Sequence, residues 1–187
     1  MLTQIALLLL KTATSFWVGL FLFRGYCLFI KLNLSQGLGQ FSLFVYRLTD
    51  WSVLPLRRLF PKTSRFDAAS FVSAYLVQFA GILLQSLLLA GHFSLMPSLG
   101  LALFELASSA LSGLTGLLII FALMSWVSAN PDIQYFLDKL TQPFLSPIRK
   151  IVPPIAGVDI SILIALLLLQ VVNIVLANLR VWLLTLH

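Results

Sequence analysis

The chain has 187 residues, 60% of them hydrophobic and 10% charged, with a mean hydropathy of +1.03. A soluble domain carries about 25% charged residues, so this composition excludes a water-soluble globular protein and points to an all-α, polytopic membrane protein. Twelve Lys and Arg against six Asp and Glu give a net charge of +6. The basic residues sit in loops beside apolar runs, so anionic phospholipid is the expected partner and nucleic acid is not.

Crossing the hydrocarbon core takes about 20 apolar residues, and four segments meet that length. The first runs from Leu2 to Phe23 and ends at Arg24. It has neither a basic start nor a small-x-small cleavage site, so it reads as a retained helix and not as a signal peptide. The second follows Asp67, from Ala68 to Ala90, and stops at Gly91-His92. The third runs from Leu99 to Val127 after a short turn with Pro97 as its breaker. The fourth follows Asp159, from Ile160 to Leu179.

Seven of the twelve Lys and Arg lie in the connection from Arg24 to Arg65, and three more in the connection 128–158. Two spans separate these connections, so both lie on one side. The positive-inside rule makes that side cytoplasmic. Both termini are then expected to be periplasmic, in a bacterial inner membrane.

The chain also repeats. At an offset of 92, Thr49 falls on Thr141, Pro55 on Pro147, Arg57 on Arg149, Arg58 on Lys150, Pro61 on Pro153 and Asp67 on Asp159. Upstream the register slips, so Tyr26 matches Trp126 and Phe21 matches Phe121. The expected units are 1–95 and 96–187, each a helix, a basic amphipathic loop and a helix. Each holds two spans, so the repeats are parallel, unlike the inverted repeats of many transporters.

Each loop opens with a stretch amphipathic at helical period. In the first, Phe41, Phe44, Val45, Leu48 and Ser52 form one face; in the second, Ile133, Phe136, Leu137 and Leu140 do. Asn130-Pro131 reads as an N-cap followed by proline at the first helical position. Such helices lie in the membrane interface or pack on the spanning bundle; the two readings are compatible. Each loop ends in a basic element between prolines, Pro55 to Pro61 and Pro147 to Pro153. The prolines are expected to limit any helix there to about one turn. Arg57, Arg58, Arg149 and Lys150 are either sites for anionic lipid or a partner, or anchors of topology. Asp67 and Asp159 precede spans two and four, where an N-cap is the primary reading. A salt bridge to Arg57 or Arg149 that folds the loop back is the other, and both roles can hold.

These repeated residues resemble the YggT family of bacterial inner-membrane proteins, with the YlmG proteins of Gram-positive bacteria and plastids as relatives. The resemblance rests on Leu54-Pro55-Leu56-Arg57-Arg58-Leu59-Phe60-Pro61 with Asp67-Ala68-Ala69-Ser70, on Met124-Ser125-Trp126-Val127-Ser128, and on Thr141-Gln142-Pro143 through Asp159-Ile160-Ser161. It covers nearly the whole chain and fits the two-copy, proteobacterial type. Arg65-Phe66 departs from the small and apolar residues expected before Asp67. The resemblance implies links to osmotic tolerance, potassium balance, division gene clusters or, in plastids, cytochrome b6 haem attachment and membrane organisation.

Three charged residues fall within or beside the spans. Lys11 lies 13 residues before Arg24, about 20 Å along a helix. Glu105 and Arg180 lie at the outer level of spans three and four. Glu105 is expected either to pair with Lys11 or Arg180, or to leave them solvated and snorkelling. The amides Gln78, Gln85, Gln170, Asn173 and Asn178 are expected to bond between helices, and Ala107, Ser108, Ser109, Ser112, Gly113 and Gly116 to pack closely. One cysteine, Cys27, and the distant His92 and His187 leave no disulfide framework and no metal or cofactor site to expect. No nucleophile–base pair stands out, so an enzyme is not expected. The expected function is a non-catalytic scaffold or assembly factor that uses its basic loops to engage anionic lipid or a membrane-protein partner. The alternative is a small transporter or channel, formed as a homo-oligomer, with Lys11 and Glu105 lining a shared cavity.

Overall fold

A computed structural model of the chain describes residues 1–32, 39–60, 67–90, 95–126, 131–152 and 159–185. Six helices make up the described residues: α1 (Leu2–Phe29), α2 (Gln40–Leu59), α3 (Ala68–Ala90), α4 (Leu95–Trp126), α5 (Pro131–Ile151) and α6 (Ile160–Thr185). α1, α3, α4 and α6 are long and apolar enough to cross a membrane. They expose large apolar side chains such as Leu84, Leu88, Leu167 and Val171 along their lengths. In water that surface would be untenable; in lipid the driving force to bury it is gone. The protein is a four-span membrane protein.

The spans pair as two antiparallel hairpins. On α1 and α3, Gly25 meets the ring of Phe71 and Gly81 meets Thr14, so the contacts run in opposite chain directions. A Cβ at Gly81 would lie 2.7 Å from Thr14, and glycine there permits the close approach. On α4 and α6, Leu118 packs with Ile162 and Ala165 at one end, and Glu105 meets Arg180 at the other. Small residues therefore do set helix contacts, but in the first hairpin. The stripe Ser112, Gly113, Gly116 on α4 faces outward, with nothing near Gly113 or Gly116. The expected close packing along span three is not found there.

α2 and α5 sit at the same end of the bundle. α2 opens at Gly39, whose φ of +48° suits glycine; the carbonyl of Gly39 accepts from the Ser42 amide and hydroxyl. Both helices run through the basic elements, contrary to the one-turn expectation: α2 continues through Pro55, and α5 through Pro143 and Pro147. All three prolines are exposed. A proline there loses one backbone bond, and on an exposed helix face water or a headgroup can satisfy the freed carbonyl. Pro97 likewise does not break a helix. It lies in the first turn of α4, where its missing N–H has no intrahelical acceptor to lose.

The faces of α2 also differ from expectation. Ser42, Val45, Thr49 and Val53 are buried against the bundle, whereas Phe41 and Phe44 are 50% and 48% exposed. The polar members of the inner face are tolerable because they are bonded: the Thr49 hydroxyl donates to the Val45 carbonyl, and Ser52 to Ser73 on α3 at 3.0 Å. α5 behaves closer to its pattern. It buries Phe136, Leu137 and Leu140, with Ile133 left exposed. These side chains pack on Phe23, Tyr26 and Cys27 of α1, so the second loop helix seats on the first span. There the Tyr26 hydroxyl donates to the Leu140 carbonyl.

Candidate functional site

The loop helices end on matched charge pairs. Arg57 stands in the last turn of α2, and Asp67 directly before α3. Arg57 Nη2 donates to Asp67 Oδ2 at 2.8 Å and Nε to Oδ1 at 3.4 Å, while the Ser70 hydroxyl donates to Oδ2 at 2.7 Å. The Asp67 side chain is fully buried and that of Arg57 is 28% exposed. Ninety-two residues on, Arg149 Nη2 and Nε donate to Asp159 Oδ2 at 2.5 and 2.9 Å. Asp159 Oδ1 also accepts the Ser161 amide at 3.1 Å. Both roles read from the sequence thus coexist at Asp159, which caps α6 and binds Arg149. At Asp67 the carboxylate takes bonds from the Arg57 and Ser70 side chains and, among the described residues, from no backbone N–H of α3, so the salt bridge is found there and the expected cap is not.

The electrostatics follow from this bonding. Burial pushes the Asp67 carboxyl upward, but hydrogen bonds from Arg57 and Ser70 and the charges of Arg57 and Arg24 outweigh it, holding its pKa below the ordinary value. Asp159 shows the same net lowering, with burial opposed by the bonds and charge of Arg149 and by Ser161. Each carboxylate therefore stays ionised near neutral pH and keeps its arginine.

These pairs divide the four basic residues singled out from the sequence. Arg57 and Arg149 are internal clasps. Arg58 and Lys150 are exposed and make no ion pair among the described residues. Pro55 and Pro147 are exposed within the helices; Pro61, Pro153, Arg65 and Phe66 lie outside the described residues.

A third pair was not legible in the sequence. Arg24 is only 1% exposed, yet Nη1 reaches Asp50 at 2.8 Å and the Thr49 hydroxyl, with its guanidinium 4.9 Å from the Tyr46 ring centre. Its Nε is buried and finds no partner among the described residues. Arg24 ends an apolar run, the usual place for a solvated anchor; only α2 folding back over the span buries it. The one available signal was the polar pair Thr49-Asp50 midway along the amphipathic stretch.

At the other end of the spans, Arg180 Nη1 lies 2.5 Å from Glu105 Oε1. Of the two pairings open to Glu105, the structure makes the one with Arg180, which is thus not merely solvated. Lys11 is exposed on α1. The amides do not form the expected bonds between helices. Asn178 donates to Ile174 in its own helix, Gln170 and Asn173 are exposed, and among the described residues the Gln78 carbonyl oxygen is buried without a donor. No group of three His, Cys, Asp or Glu side chains able to hold a metal is found among the described residues.

The CCB3/YggT family model matches residues 3–88 and 100–180. The chain is 34% identical over 142 residues to the uncharacterised protein YggT of Escherichia coli K12, covering 71% of this chain and 70% of that one. A Vibrio alginolyticus protein described only by its position 3′ of proC is 35% identical over 137 residues, covering 71% and 74%. An uncharacterised Pseudomonas aeruginosa protein is 30% identical over 190 residues, covering 92% and 88%. No solved structure matches.

Proposed function

We propose that this chain, which belongs to the CCB3/YggT family, is a non-catalytic membrane scaffold whose clasped loop helices engage anionic lipid. The basic loops would face the cytoplasm of a bacterial inner membrane, with both termini periplasmic, as the charge asymmetry supports. The observation that carries the reading is the division of labour among the basic residues. Arg57 and Arg149 spend their charge inside the fold. That fixes each helix end and leaves Arg58 and Lys150 projecting beside it.

α2 adds an apolar contribution. Its outward stripe runs Phe44, Arg47, Trp51, Leu54 and Arg58, at steps of three and four residues. Trp51 is 61% exposed, yet its ring also meets Trp17, seven residues inside the span from Arg24. Seven residues is about 10 Å of helix, so α2 lies where headgroups meet hydrocarbon. An aromatic and arginine stripe at that level suits a surface of anionic lipid.

The test compares two double variants in vesicles with and without phosphatidylglycerol. A basic residue near an anionic surface is worth about 1 kcal/mol, or roughly fivefold in affinity. Arg58→Gln with Lys150→Gln should weaken retention of anionic lipid and leave the melting curve unchanged. Arg57→Gln with Arg149→Gln should lower stability. Unchanged lipid retention and unchanged partner recovery in the first variant would sink the proposal.

A further inference from the structure

At the end of the spans away from the loop helices, α4 and α6 enclose a cavity of about 300 Å³ lined in part by Phe104, Glu105, Ser108, Asn173, Ala177 and Arg180. That volume is at the lower end of ligand sites. The ion pair in its wall uses Arg180 Nη1 and Glu105 Oε1. A guanidinium has five N–H donors and a carboxylate two oxygens, so both groups keep bonding capacity for a third party. The side chains of Arg180 and Glu105 are 46% and 25% exposed, and Ser108 and Asn173 line the same cavity.

The charges decide what fits. A simple anion drawn to Arg180 meets Glu105, and a simple cation drawn to Glu105 meets Arg180. A ligand carrying both charges a few ångströms apart meets an opposite charge at each end. The surroundings decide where the ligand comes from. Val181, in the wall of the cavity, is 59% exposed, and Phe104 and Leu176 also line it, so its mouth is edged by apolar side chains of two membrane-spanning helices and opens toward lipid. Trp182, 62% exposed and two residues from Arg180, is of the type that settles at the headgroup boundary. The same pair cannot form in the first hairpin, because Glu105 and Arg180 have no charged counterparts there: the corresponding ends of α1 and α3 carry Ile5 and Leu88.

We propose that this cavity binds the headgroup of a zwitterionic phospholipid from the leaflet opposite the basic loops. Its primary ammonium sits on Glu105, its phosphate on Arg180 and Asn173, and an acyl chain runs along Phe104 and Val181. This site is separate from the anionic-lipid surface of α2 and α5, and either can fail without the other.

The experiment is native mass spectrometry of the full-length, delipidated chain titrated with phosphatidylethanolamine, phosphatidylglycerol or free phosphoethanolamine. Ala177→Phe fills the cavity while leaving both charges, so the lipid lost on that substitution reports this cavity alone. In the wild type, the lipid lost should favour the ethanolamine headgroup by about tenfold, the worth of a hydrogen bond to a charged group. Glu105→Gln should abolish that preference, and Arg180→Gln should reduce binding of both lipids. Circular dichroism and melting of Ala177→Phe show that its loss is not misfolding. Equal loss of the two lipids on Ala177→Phe, or a preference that survives Glu105→Gln, overturns the proposal. Displacement of bound lipid by free phosphoethanolamine overturns the lipid source and assigns the cavity to a water-soluble zwitterion.

Discussion

Removing Asp67 should destabilise the protein more than removing Asp159, although the two sit at equivalent places. The Asp67 carboxylate is fully buried and takes bonds from Arg57 and Ser70. Breaking a buried ion pair by deleting one partner costs about 3–5 kcal/mol. Arg57 is 28% exposed and can recover some hydration, so the low end, about 3 kcal/mol, is expected for Asp67→Ala. Asp159 is 21% exposed, and its arginine has a second carboxylate, Asp138, at 3.5 Å. Asp159→Ala should therefore cost about 1 kcal/mol, closer to a surface pair. The assay is reversible unfolding in mixed micelles, with a double-mutant cycle through Arg57→Gln. A coupling of about 1.5–3 kcal/mol is expected for Arg57 and Asp67. A cycle below about 0.5 kcal/mol, or a larger loss at Asp159 than at Asp67, would refute the reasoning from burial.

The clasps also carry a pH signature. Both carboxyls titrate below their ordinary value in the folded state, so their stabilisation is complete above the unfolded aspartate value of about 3.9 and is lost as pH falls through the depressed folded values. Protease sensitivity of the two loops should stay flat from pH 7 down to about 5 and rise only below about 4. Gly81→Ala places a Cβ 2.7 Å from Thr14, and should cost about 1–3 kcal/mol; because Thr14 is stiff and β-branched, Thr14→Ala in the same chain should restore most of it in a thermal unfolding assay. Asp50→Ala should be worse than Arg24→Met. The first strands a guanidinium that is 1% exposed, at about 3 kcal/mol, whereas the second leaves a carboxylate already 38% exposed, and equal melting temperatures would contradict this ordering.

The spans were legible because lipid demands long apolar runs, and the structure moves their ends by only a few residues. Arg57 with Asp67, and Arg180 with Glu105, were legible as alternatives because charge next to hydrocarbon must find a partner. The loop helices were harder. Pro55 and Pro147 read as breakers on propensity alone, and only their exposure on the finished helix explains why they are accommodated. The seating of α2 on Ser42 and Thr49 could not be read from hydrophobic periodicity. Its aromatic residues Phe41, Phe44 and Trp51 face outward, while Ser42 and Thr49 join Val45 and Val53 on the buried face, a mixture that apolar periodicity does not pick out. Arg24 was missed because its burial depends on tertiary folding of a helix 16 residues further along the chain.

The contact between Tyr26 and Leu140 has a consequence for how this molecule can change over generations. The phenol meets a main-chain oxygen, so any residue except one that distorts the helix can stand at 140 without breaking that bond. The bond itself therefore sets no requirement on the side chain at 140, which is held apolar instead by its packing on Phe23, Tyr26 and Cys27. A residue-pair covariation analysis would rank the clasps highly and pass over the one polar tie described here between the first span and the second loop.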